Sequence, residues 1–114
     1  MSEDQYRKII TDEIQRQIID DFAAIISEEI SVKQMVVKGF LWRALREWQK
    51  QHEITILETE RGDGSTPEER IKQASEILNI CLSDMKVLVE DEFQALETGI
   101  KRALEHYIIH YSER

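Results

Sequence analysis

The sequence predicts an all-α fold, a four-helix bundle formed by a single helical domain that spans residues 1–114. Apolar residues recur every three or four positions through most of the chain, which is the period of an amphipathic helix. The 114 residues include only four glycines and one proline, so few positions interrupt a helix. Hydrophobic residues make up 41% and charged residues 33%, a composition that favours a folded helical domain over a disordered chain.

The first predicted helix covers residues 3–29. Ser2 and Gln5 have the spacing of a capping box, in which two side chains satisfy free amide groups at a helix start. Apolar side chains follow at every fourth position: Tyr6, Ile10, Ile14, Ile18, Phe22 and Ile26. This stripe predicts one face of a long helix that packs against the rest of the bundle.

The second predicted helix covers residues 32–59, because Ser31 and Gln34 repeat the capping-box spacing. Its core stripe falls within about 100° of arc at 100° per residue and consists of Val37, Leu41, Ala44, Leu45, Trp48 and His52. Ile54 and Ile56 alternate as in a strand, but no second segment could pair with them, so we continue the helix. We interpret His52 as a partly buried core residue and not as a metal ligand.

Residues 61–69 form the joint between the two halves of the predicted bundle. Glycines in this segment are turn formers, Thr66 is a suitable N-cap, and Pro67 suits the first position of the next helix. The tripeptide Arg61-Gly62-Asp63 resembles an adhesion motif, but such tripeptides are common by chance. We therefore predict an architectural role for this stretch.

The C-terminal half predicts two helices, over residues 67–82 and 84–111. The first core positions are Ile71, Ala74, Leu78, Cys81, Met85 and Leu88, and the second set is Val89, Phe93, Leu96, Ile100, Ala103, Tyr107 and Tyr111. The pattern shifts by one residue between the two sets, which favours a break, and Ser83-Asp84 could cap a new helix. The alternative is one continuous helix over residues 67–111, about 68 Å long.

Residues that could carry chemistry are sparse, so the sequence predicts no enzyme, no cofactor and no metal site. Phosphate-binding glycine loops and zinc-hydrolase motifs are absent. His106 and His110 have the spacing of two ligands on one helix face, but Arg102 on the same face would repel a cation. We therefore interpret the two histidines, like the acidic runs Asp20-Asp21, Glu28-Glu29 and 90–92, as solvated surface. The single cysteine, Cys81, falls on a core stripe and is interpreted as a buried apolar residue.

Charge gives expectations about partners and location. The net charge of −8 disfavours binding to nucleic acid or to an anionic membrane. An acidic first helix beside a basic second helix predicts ion pairs within the chain. No apolar run is long enough to span a membrane, and the N-terminus does not resemble a signal peptide, so we expect a cytoplasmic protein.

Met35, Gly39 and Trp42 lie outside the main core stripe of the second helix, at spacings of four and three. They are either ordinary core of a helix packed on two sides or a contact face for another subunit or partner. Met and Trp are favoured anchors at protein interfaces. We take these three residues as the candidate partner or dimer interface.

Two segments carry a resemblance to a known family: residues 30–48, ISVKQMVVKGFLWRALREW, and residues 77–93, ILNICLSDMKVLVEDEF. They are similar to the helical N-terminal domains of bacterial stress-signalling regulators of the Rsb type, the stressosome co-antagonists and phosphatases. The resemblance covers about half of the chain and implies a dimerising, partner-binding helical module. We expect no kinase, phosphatase or antagonist domain after it.

The sequence therefore favours a small cytoplasmic regulatory or adaptor module that acts by protein contact, is a homodimer and binds a further, unidentified protein. One alternative is an acidic inhibitor that occupies the nucleic-acid-binding groove of a basic partner. A third hypothesis is a metal-dependent helical hydrolase that uses carboxylates or His106 and His110.

Overall fold

A computed structural model describes the backbone of residues 3–52 and 67–111 and the side chains of residues 13–51 and 67–111. Four α-helices lie within these ranges, and we label them α1 (Glu3–Glu29), α2 (Gln34–His52), α3 (Pro67–Met85) and α4 (Phe93–His110). A short 3-10 helix, Glu90–Glu92, leads into α4. These ranges contain no strand, and the helices pack against each other as a bundle, so the predicted all-α four-helix fold is confirmed.

The helices form a ring in which each one packs on two neighbours. Helix α1 packs against α2 and α4, and α3 packs against the same two helices. Contacts from Glu29 to Arg102 and from Asp21 to His106 show that α1 and α4 run in opposite directions. The bundle therefore has an up-down-up-down arrangement, with the connections 30–33 and 86–92 at the same end.

The core lies between the four helices and contains most of the predicted stripe positions whose side chains the structure describes; Tyr6, Ile10 and His52 lie outside that set. Every helix contributes at least one side chain with less than 2% of its surface exposed; the largest of these are Phe22, Ile26, Leu41, Leu78, Met85 and Leu96. Burial of such side chains contributes about 1.5–3 kcal/mol each to the hydrophobic term, which makes this core the main source of stability.

Helix α2 begins at Gln34, two residues later than predicted, and its predicted capping box is wrong. The amide groups of Val36 and Val37 donate to the Lys33 carbonyl oxygen instead. The Ser31 hydroxyl donates to Glu92 at 2.8 Å, and the Ser31 N–H donates to the same carboxylate. Ser31 is therefore engaged in a contact between the two connections and is not available to cap its own helix.

Several sequence predictions fall outside the described residues. They concern the continuation of the second helix over residues 53–59, the joint that includes Arg61-Gly62-Asp63, and the Ser2 capping box. Pro67 is the first described residue of α3 and is helical, which agrees with the predicted place of this helix.

The break between α3 and α4 lies after Met85, not at Ser83-Asp84 as predicted. The chain forms a turn over residues 86–89, in which the amides of Leu88 and Val89 donate to the Met85 carbonyl oxygen. The alternative of a continuous helix is also wrong, because the molecule is 48 Å long and such a helix would be about 68 Å long.

The one-residue shift in the apolar pattern explains where this turn forms. Met85 and Val89 are both buried, whereas Leu88, predicted as a core residue, is 54% exposed. A helix that continued through this region would turn the second stripe away from the core of the first. The turn directs the second apolar stripe back towards the core and leaves Val87 and Leu88 on the surface.

Candidate functional site

The side of α2 that faces away from the core is the candidate site. At 100° per residue, six residues of this helix fall within about 100° of arc, opposite the buried stripe. We call them the outer face: Met35, Gly39, Trp42, Arg43, Arg46 and Lys50. All of them are exposed except Trp42, which is half-buried. The three residues predicted as an interface are therefore brought together, and three basic residues adjoin them.

The N-terminal half of the outer face is apolar. The Met35 side chain is 82% exposed, and the Trp42 indole packs partly against the core while leaving an edge at the surface. A Cβ added at Gly39 would meet no atom within 4 Å, so a shallow open step lies between the two larger side chains. An exposed methionine and the exposed edge of a tryptophan on one helix face are consistent with a contact surface.

No packing contact within the described part of the chain requires a glycine at position 39. A glycine inside a helix destabilises it by about 0.5–1 kcal/mol relative to alanine. Gly99 on α4 does have a reason, because a Cβ there would lie 3.1 Å from the Cα atom of Ile26 on α1. Gly99 therefore permits a close approach of two helices, and Gly39 leaves the same kind of space open.

The C-terminal half of the outer face is basic. Arg43, Arg46 and Lys50 are exposed, and none of them forms an ion pair with any residue that the structure describes. On the side of α2 that borders α1, by contrast, the Lys38 ammonium lies 2.5 Å from the Asp20 carboxylate. The outer face thus combines positive charge with apolar surface on a protein whose net charge is −8.

The acidic residues in the second half of α1 are held by contacts within the bundle. Besides the pair between Asp20 and Lys38, the Arg102 guanidinium bridges Glu28 and Glu29, and these carboxylates raise the pKa of Arg102 above its usual value. The predicted ion pairing within the chain is therefore confirmed, although α4 supplies a partner as well as α2. Sequence periodicity did not reveal the role of α4, because residues that are 73 positions apart meet only in the folded bundle.

A small polar cluster fixes the end of α4 to α1. The Tyr111 hydroxyl donates to Asp21 at 2.5 Å, and His106 Nε2 lies 3.1 Å from the same carboxylate oxygen. The His106 and His110 rings lie 4.4 Å apart. Within residues 13–51 and 67–111, no three His, Cys, Asp or Glu side chains form a group that could hold a metal ion. The sequence reading of the histidine pair as solvated surface missed the contact between His106 and Asp21.

A partly open cavity of about 70 Å³ lies between all four helices. Apolar side chains such as Phe22, Leu45 and Ile77 form most of its wall, and Gln15 and Gln73 contribute amide groups. Ligand pockets for drug-sized molecules are usually about 300–1,000 Å³. This space suits one or two waters or a small alkyl group, so it is a minor packing gap and not the candidate site.

Cys81 is fully buried, as the sequence predicts. Burial raises the pKa of its thiol to about 12, and the negative charge of Asp84 acts in the same direction. The thiolate form is therefore suppressed, which makes this residue a core side chain and not a nucleophile.

The turn between α3 and α4 adds a second exposed apolar surface that the sequence analysis missed. Val87 is 80% exposed and Leu88 is 54% exposed. The only signal was the shift of the periodic pattern between Leu88 and Val89.

None of the helices in the described ranges combines the length and apolar character needed to span a bilayer.

Comparison of the chain with protein-family models, with curated proteins and with solved structures finds no match in any of the three. The resemblance to Rsb-type regulators therefore stays a prediction from the sequence.

Proposed function

We propose that this protein is a small regulatory or adaptor module that acts by protein contact, with the outer face of α2 as its contact surface. The observation that carries the proposal is the open, apolar half of this face. Met35 projects into solvent beside the uncovered Gly39. A partner that covered this surface would bury Met35 and the remaining exposed edge of Trp42, two residue types that anchor interfaces.

The alternative of an acidic inhibitor receives less support from the arrangement of charge. Such an inhibitor needs carboxylates that are free to meet a basic groove. In the second half of α1, the carboxylates of Asp20, Asp21, Glu28 and Glu29 already contact basic or hydroxyl groups within the bundle. The free energy needed to separate these pairs would offset part of the free energy gained by binding to a basic partner.

The sequence expectations of a homodimer and of a cytoplasmic location belong to this proposal as well. Association of two copies through the outer face would bring six basic side chains, Arg43, Arg46 and Lys50 of each copy, into one interface to which the outer face contributes no acidic residue, so these charges would repel each other. That repulsion favours a different protein as the occupant of α2. The exposed turn at Val87 and Leu88 is a more suitable place for two copies to meet.

Affinity purification with the tagged chain as bait tests the proposal. The bait is incubated with lysate from the source cells at low and at moderate salt, and captured proteins are identified by mass spectrometry. We expect one protein in a stoichiometric amount that remains bound at moderate salt. Capture of no such protein at either salt concentration would contradict the adaptor function.

Two matched variants locate the surface. Met35→Glu places a charge on the outer face, and Val87→Glu makes the same kind of change at an equally exposed apolar position elsewhere, since these residues are 82% and 80% exposed. We expect the first variant to lose the partner and the second to retain it. Retention by Met35→Glu together with loss by Val87→Glu would move the contact surface to the turn between α3 and α4.

A further inference from the structure

We propose that the occupant of the outer face is an acidic amphipathic helix of a partner protein, which lies along α2 and passes closest to it at Gly39. The inference rests on the proposed function and adds the chemistry and the shape of the partner segment. It depends on two properties of the outer face, its charge and the shape of its surface.

The charge of the outer face favours an acidic segment. Arg43, Arg46 and Lys50 have no ionic partner among the described residues, while Lys38 and Arg102 elsewhere on the bundle are paired. Across an interface, opposite charges set the choice and the orientation of a partner.

The surface shape of the outer face favours a helix as the partner segment. Met35 and Trp42 stand on either side of Gly39, and no atom lies within 4 Å of the position that a Cβ of Gly39 would occupy. A missing side chain allows two helix backbones to approach closely, as Gly99 allows α4 to approach Ile26 of α1. From Met35 to Lys50 the face is about 22 Å long, which matches a partner helix of about 15 residues.

The two halves of the face specify the pattern of that partner helix. Apolar side chains, with a small residue among them, would cover Met35, Gly39 and Trp42. Glu or Asp side chains one to three turns further along would meet Arg46 and its neighbours. This distribution, apolar at one end and acidic at the other, distinguishes the segment from an ordinary acidic surface helix.

Photo-crosslinking identifies the segment directly. The full chain is prepared with a diazirine analogue of methionine, which replaces Met1, Met35 and Met85 and places a reactive group of similar size at each, and it is irradiated in lysate of the source cells. Peptides joined to position 35 are sequenced by mass spectrometry, and a Met35→Leu chain serves as the control. We expect one partner peptide with a helical apolar stripe and a net negative charge.

The crosslinked peptide is then synthesised, and its binding to the full chain is measured by calorimetry at low and moderate salt. We expect the double variant Arg43→Glu, Arg46→Glu to weaken binding at least about tenfold, because both charges would then repel the peptide. Glu47 lies at the edge of the face, so the variant Glu47→Gln serves as the control. Its affinity for the peptide should be within about twofold of the wild-type affinity, as expected for a charge at the rim of an interface.

The outcomes separate the inference from the proposed function. A crosslink to a second copy of this chain, to a basic or non-helical segment, or to a peptide that tolerates the charge reversal would overturn the inference and leave protein contact standing. Failure to crosslink or capture any protein would overturn both.

Discussion

Two helix surfaces of this molecule each contain a glycine, and their surroundings differ in every respect. At Gly99, α4 lies against α1 so closely that a Cβ would stand 3.1 Å from the Ile26 Cα atom, and nearby Arg102 is paired with two carboxylates of α1. At Gly39, the space is open, and Arg43 and Arg46 on the same face have no ionic partner among the described residues.

The difference shows which features of the chain the fold itself explains. Gly99 and the charges around it serve the packing of α1 on α4, and substitution there disturbs the bundle. Gly39 costs helix stability and supports no packing within the described residues. A residue that lowers folding stability without enabling a packing contact is typical of a functional surface. The comparison therefore separates the closed side of the molecule from its proposed contact side.

The largest expected difference between the two sides concerns thiol reactivity. Burial raises the pKa of Cys81 from 9.0 to about 12, so the thiolate is about a thousandfold scarcer at neutral pH than for an ordinary thiol. Alkylation at pH 8 should be slowed by at least that factor relative to the variant Cys81→Ala, Gly39→Cys, whose thiol lies on the outer face. Similar rates for the two proteins would show that the core side of α3 opens readily.

The same pKa shift predicts how stability depends on pH. The folded state favours the neutral thiol, so the unfolded chain releases this proton first as pH rises. The stabilisation from Cys81 is therefore complete below about pH 9 and decreases as pH rises from 9 towards 12. Urea unfolding across this range should show a steeper loss for the wild type than for Cys81→Ala.

Phe22→Ala should cause the largest loss of stability among the substitutions considered. The Phe22 side chain is 2% exposed, and its ring lies 6.1 Å from that of Tyr107 on α4. Removal of a buried phenylalanine typically costs about 3–5 kcal/mol of unfolding free energy. Met35→Ala removes a side chain of the outer face and should change the same quantity by less than about 0.5 kcal/mol. Urea denaturation measures both, and a loss for Met35→Ala as large as that for Phe22→Ala would refute the division into a closed and an open side.

Gly99→Ala should destabilise the bundle by about 1 kcal/mol. Its Cβ would press on the backbone of Ile26, and overpacking of this kind costs about 1–3 kcal/mol, which the better helix propensity of alanine only partly offsets. Thermal and urea unfolding of the variant check the sign. A more stable variant would mean that α1 and α4 are less closely packed than described.

Gly39→Ala is the matched counterpart and should have the opposite sign. The added methyl group meets no atom within 4 Å, so the helix propensity of alanine acts alone and stabilises the chain by about 0.5–1 kcal/mol. The measurement is the same unfolding experiment. Destabilisation would reveal that this part of α2 is already covered in the isolated protein.

The sequence predicted the elements that depend on local periodicity and missed those that depend on distant contacts. The core stripes of α2 and α4 follow directly from residue spacing, and so does the position of Gly39 beside Met35. The start of α2 was misplaced because Ser31 bonds to Glu92, 61 residues away, and not to its own helix. The turn after Met85 was misplaced because Ser83-Asp84 has local capping residues, whereas the buried positions of Met85 and Val89 decide the outcome.

The candidate site was predictable in part for the same reason. Met35, Gly39 and Trp42 lie together because they share one helix, which the sequence alone determines. That Arg43 and Arg46 have no ionic partner could not be predicted, because the basic α2 was expected to pair with the acidic α1. In the bundle, Lys38 forms that contact, and Arg102 of α4 holds two of the remaining carboxylates.

The affinity of Gly39→Ala for the captured partner tests the central claim most directly, since this variant is expected to be more stable than the wild type. If the outer face of α2 is the contact surface, the added methyl group separates the two backbones and weakens binding about tenfold, which corresponds to about 1.4 kcal/mol. Calorimetric titration of wild type and variant with the purified partner gives the ratio. Equal or tighter binding by Gly39→Ala would contradict the assignment of this face.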